Sequence, residues 1–113
     1  MEYTNNNINK SIEALYMGTI NSSFGDSEKN ALKVLLQKLA IYYSNEYNAI
    51  QLRKDSDDYM YKINKLVSEM ADYIVMINDT LDGKNDVYYI VNMIYKEINY
   101  DEKKGKFKRK RLI

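Results

Sequence analysis

The chain has 113 residues, enough for one domain, with no Cys, His or Pro, four Gly and a formal net charge of +1. Without Cys and His it is excluded from disulfides, from zinc sites built on thiolate or imidazole, and from cysteine or histidine catalysis. The scarcity of turn residues and of alternating β-branched runs points to an all-α class.

In chain order, Met1 to Asn7 is a polar, Asn-rich lead with no basic start and no apolar run of the kind a signal peptide needs. A soluble cytoplasmic protein is expected, with no membrane partner. The side-chain oxygen of Asn7 is placed to cap a first helix over about Ile8 to Ile20, whose apolar face carries Ile8, Ile12, Leu15, Tyr16 and Ile20. Asn21 to Gly25 then reads as a turn, with Phe24 as a plug beneath it.

Asp26 or Ser27 suits the cap of a second helix, and Glu28 lies where a helix N-terminus favours negative charge. Leu32, Leu35, Leu36, Leu39, Tyr43, Tyr47 and Ile50 carry its apolar stripe to about Leu52. Arg53 to Asp58 (RKDSDD) combines cations for a helix C-terminus with Asp55, Ser56 or Asp57 to cap the next helix, although a single unbroken rod is the alternative.

The third helix, Asp57 to Leu81, has the longest stripe: Tyr59, Ile63, Leu66, Met70, Tyr73 and Ile77 alternate at spacings of four and three. At 1.5 Å per residue it spans roughly 37 Å and needs a partner of similar length, which the second helix supplies. The expected architecture is a compact bundle of about four helices around two long antiparallel ones. Gly83 closes the third helix, Asn85 caps a fourth, and Val87, Ile90, Val91, Ile94 and Ile98 line that helix to about Asn99. Residues 1–100 form the bundle domain and 101–113 a basic C-terminal tail.

Glu69 and Asp72 are the first candidate site. Three apart on a helix, their carboxylates occupy adjacent positions and suit a hard cation such as Mg²⁺. The same pair also suits a solvated helix edge, matched by Lys62 or Lys65. The segment Glu69-Met70-Ala71-Asp72 followed by Tyr73-Ile74-Val75-Met76-Ile77 resembles the second acidic motif of the MazG-like nucleoside triphosphate pyrophosphohydrolases. That resemblance, over about a dozen residues, implies an all-α, oligomeric, Mg²⁺-dependent hydrolase. The family's Glu-rich motif on the preceding helix has no counterpart, since Ala31 to Leu39 offers Lys33, Gln37 and Lys38 and no acid. The resemblance thus implies a hydrolase that is inactive or repurposed.

Tyrosine is the second candidate, with twelve in the chain. Adjacent helical residues point about 100° apart, so the pairs Tyr42–Tyr43 and Tyr88–Tyr89 cannot both be centred on a buried stripe. Their margins suit either a boundary around the core or a contact surface for a protein partner or a second copy of the chain. The third is the tail: Lys106, Phe107, Lys108, Arg109, Lys110 and Arg111 suit nucleic-acid phosphates or an acidic protein surface, or simply a solvated end.

These features favour a small interaction protein, an inhibitor or adaptor acting on a larger macromolecule without a cofactor. The richness in Asn, Lys, Ile and Tyr is compatible with a phage or mobile-element gene of a low-GC host. A divergent MazG-like hydrolase and a nucleic-acid-binding tail are the alternatives.

Overall fold

The computed structural model describes the backbone of residues 7–112 and the side chains of residues 7–99. Four helices occur in the described chain: α1 (Ile8–Ile20), α2 (Asp26–Gln51), α3 (Tyr59–Leu81) and α4 (Val87–Leu112). The Asn-rich lead before Asn7 lies outside the described residues.

Each helix forms because its apolar residues recur at helical spacing and find cover. α1 buries Ile8, Ile12, Leu15 and Thr19. Ile20, expected on that face, is exposed, and the four-three-four spacing places Thr19 in its stead. α2 buries Leu32, Leu35, Leu36, Leu39 and Tyr43, and α3 buries Ile63, Leu66, Met70, Tyr73, Ile74, Ile77 and Thr80. From α4 come Val87, Ile90, Val91, Ile94 and Ile98, completing a continuous core for all but Ile63 and the two threonines. The buried Thr19 and Thr80 hydroxyls donate to the carbonyls of Leu15 and Met76, each at 2.8 Å, so neither is left unpaired.

The helices alternate in direction. Gln51 Nε2 donates to Tyr59 Oη (2.7 Å) and Tyr42 Oη to Glu69 Oε1 (2.5 Å), so residues advancing along α3 meet residues receding along α2. That is the expected long antiparallel pair. Short connections impose the same reversal at the other joints. α1 and α4 each pack on both central helices and, among the described residues, not on one another, so the α2–α3 pair is the spine. Being shorter, α1 covers α2 near its start and α3 near its end, where Leu81 Cδ1 comes 3.3 Å from the position a Cβ on Gly18 would occupy.

Several helix ends differ from expectation. Asn7 is the α1 N-cap, but its side chain makes no capping hydrogen bond. Gly25, rather than Asp26 or Ser27, caps α2, and Asp26 and Glu28 sit in the first turn, near the positive end of the helix dipole. α3 begins at Tyr59 after Asp58, with successive turns through Arg53 and Ser56 breaking the chain between α2 and α3. Asp86, not Asn85, serves α4, its Oδ2 accepting from the Tyr89 N–H at 3.0 Å. α4 also continues helically through Gly105 to Leu112 instead of stopping near Asn99, since Lys, Arg and Glu are good helix formers and one glycine costs only about 1 kcal/mol.

Candidate functional site

A groove of about 390 Å³ lies between the C-terminal half of α2 and the N-terminal half of α3. Tyr42, Glu46, Ala49, Ile50 and Arg53 form one wall; Asp58, Tyr59, Lys62, Lys65, Leu66 and Glu69 form the other. The residues arrive there by periodicity: 42, 46 and 49 share one line of α2, as 62, 65 and 69 share one line of α3, and Arg53 and Asp58 come from the connection between the two helices.

The groove is an alternation of opposite charges and phenol groups. Half-buried Glu69 accepts the Tyr42 hydroxyl at 2.5 Å. At the other end, Asp58 Oδ2 pairs with Lys62 Nζ at 3.4 Å, and Ser56 donates to Asp58 Oδ1. The Ser56 hydroxyl first, and Lys62 after it, hold the exposed Asp58 carboxyl below the usual carboxylate range.

Glu69 therefore lines the groove, but Asp72 is exposed and is not part of it. Among the described residues no three acids come together closely enough to share a metal ion. Of the carboxylate pair that the resemblance implies for Mg²⁺, only Glu69 faces the groove, so most of a near-octahedral shell there would have to come from waters and substrate phosphate. Gln37 and Lys38, where an acidic motif would be required, are exposed.

The tyrosine pairs divide sharply. Tyr43 is 3% exposed and belongs to the core, because it continues the Leu32, Leu36 and Leu39 stripe; it is no contact residue on this surface. Burial first, and Tyr47 beside it, raise its hydroxyl pKa above the ordinary tyrosine value. Tyr42 is half-buried and engaged by Glu69. Tyr88 and Tyr89 are 44% and 65% exposed, and Tyr88 Oη lies 2.7 Å from Ser27 Oγ, tying the start of α4 to that of α2.

Tyr88 and Tyr89 have neighbours that periodicity on a single helix did not single out. Val34 and Ile41 on α2 are 45% and 60% exposed. Ile41 shares a recess of about 210 Å³ with Lys38, Tyr42, Asn45 and Glu46 of α2 and Ile98 and Asn99 of α4. Tyr89 lines a shallower one with Asn92, Met93, Lys96 and Glu97. The α2–α4 side thus gathers Val34, Ile41 and Tyr88, flanked by Lys38, whereas Tyr89 and Lys96 lie on the line of α4 that leads to Glu97 and its Tyr73 partner on α3. The sequence signal for Val34 and Ile41 was two large aliphatics seven apart, off the buried stripe but on one line of α2.

The side chains of Lys106, Phe107, Lys108, Arg109, Lys110 and Arg111 lie outside the described residues. No helix among the described residues is long and apolar enough to cross a membrane. No protein-family model, curated protein or solved structure matches the chain.

Proposed function

We propose that this chain is a small interaction protein that works by binding rather than catalysis, and that its contact surface is the α2–α4 side. The observation that carries the reading is the grouping of Val34, Ile41 and Tyr88 in the open on two adjacent helices. Aromatic and aliphatic side chains exposed together favour removal from water, and tyrosine is enriched among residues that dominate binding energy. Lys38 at the edge favours a partner with an apolar centre and an acidic rim. A larger macromolecule, as for an inhibitor or adaptor, fits a surface built on rigid helices, and self-association through the same surface is the simpler form of the same chemistry.

The test is capture of the partner from the native host with the full chain, followed by titration of the purified partner. Ile41→Asp and Val34→Asp should each weaken binding at least 10-fold while leaving the helical circular dichroism unchanged. Light scattering on the same variants separates a foreign partner from a second copy. Unaltered affinity in both variants would remove the α2–α4 surface from the proposal. Sustained, Mg²⁺-dependent release of pyrophosphate from nucleoside triphosphates, lost in Glu69→Gln, would replace it with the hydrolase.

A further inference from the structure

We propose that the groove between α2 and α3 binds a small organic oxyanion, an apolar body seated against Ile50 and Leu66 whose carboxylate or phosphate head is held by Arg53, Lys65 and the Tyr59 hydroxyl. The first support is shape. The register that sets Tyr42 against Glu69 and Gln51 against Tyr59 also sets Ala49 against Lys62. A single methyl group does not fill the space between two helices, so the walls stand apart at that level. The opening of about 390 Å³ has room for one compact ring and its head group. Its apolar lining includes half-buried Ile50, buried Leu66 and the ring of half-buried Tyr59.

The second support is a set of donors that the protein itself does not use. The acids of the groove are committed: Asp58 is matched by Lys62 and Ser56, Glu69 accepts from Tyr42, and Glu46 has an interaction of its own. The cations are not. Among the described residues no carboxylate lies within ion-pair distance of Arg53 or Lys65. Tyr59 Oη accepts from Gln51 Nε2 at 2.7 Å, which leaves its own O–H proton to give, and no described residue takes it.

Three donors without acceptors therefore line one cavity beside an apolar surface. That combination selects the ligand. A cation would meet Arg53 and Lys65 as like charges, and a neutral molecule would displace water from all three donors and return no acceptor. An oxyanion offers the guanidinium fork of Arg53 a planar edge and gives Lys65 an opposite charge. None of Arg53, Tyr59 and Lys65 lines the recess between α2 and α4, so this site can be tested apart from the contact surface proposed above.

The test is a nuclear magnetic resonance titration of the isotope-labelled full chain with phenylacetate and phenyl phosphate. Benzyl alcohol, which lacks the charged head, and inorganic phosphate, which lacks the apolar body, are the comparison probes. At least one of the two organic anions should produce saturable shifts at the amides of Ala49, Ile50, Tyr59, Lys65 and Leu66, and the tighter of them identifies the head group. Both comparison probes should bind about 10-fold more weakly or not at all. Arg53→Gln and Lys65→Met should each weaken binding about 10-fold, and Tyr59→Phe severalfold, by removing one donor at a time. Ala49→Leu should abolish binding while keeping every charge, because the added side chain fills the opening. Unchanged helical circular dichroism in the unliganded Ala49→Leu and Lys65→Met variants separates these losses from unfolding. No saturation by either organic anion in the millimolar range would overturn the proposal. So would shifts confined to other parts of the bundle, inorganic phosphate binding as tightly as phenyl phosphate, or affinity indifferent to Ala49→Leu.

Discussion

The side chains that matter most here are polar groups at the border of the core. Tyr42 and Glu69 join α2 to α3 through a phenol-to-carboxylate bond of 2.5 Å in a half-buried setting. Such charge-assisted bonds contribute more than neutral ones, so Tyr42→Phe should lower unfolding free energy in urea by about 1.5 kcal/mol. Glu69→Gln, which keeps an acceptor oxygen for Tyr42, should cost less than Glu69→Ala. An equal loss for both would show that the acceptor is immaterial. Tyr43 responds to pH instead. Its folded-state pKa is raised by burial and by Tyr47, so the folded chain holds that proton more tightly than the unfolded chain. The resulting stabilisation is complete below the unfolded tyrosine value of about 10 and is lost as pH rises through the folded value. Melting temperature should accordingly fall above about pH 10, and Tyr43→Phe should make that fall shallower. An identical alkaline profile in the variant would assign the effect elsewhere, with Tyr95, also raised by burial, the next group to replace.

Among the elements, α3 follows the periodicity of its residues closely: the expected stripe is buried from Ile63 through Ile77, and Leu81 ends the helix as read. The reason is that its neighbours cover it on three sides, so a local pattern and its environment agree. The ends were less legible. Asp86 and Asn85 are both competent caps, and which one serves depends on how the chain leaves Gly83, the one described residue with a left-handed backbone, at φ +82°. No side chain is tolerated there without strain, and Gly83→Ala should cost about 1 kcal/mol in thermal or chemical unfolding. A neutral effect would mean that the α3–α4 joint relaxes into another turn. α4 outran its apolar stripe because the stripe reports burial, whereas helix continuation past Ile98 needs only residues that tolerate helical backbone.

At the scale of the molecule, α1 and α4 flank an antiparallel spine and do not meet among the described residues, and α1 covers only part of its length. The groove lies at the end of that spine where α2 gives way to α3, and it shares Tyr42 and Glu46 with the recess between α2 and α4. Charge follows a similar division, since the stretch from Asp101 onward holds seven Lys and Arg against two acids in a chain whose net charge is +1. Four amphipathic helices, the approximate limits of the first three and the pairing of the two long ones were determined by the sequence alone, because periodicity and short connections are local properties of the chain. Only the tertiary structure decided that Tyr43 is hidden while Tyr88 and Tyr89 are open, that Glu69 meets Tyr42 rather than acting with Asp72, and that Val34 and Ile41 share a side with α4. Those outcomes depend on the rotation and offset of one helix against another, which are set jointly by residues far apart in the chain.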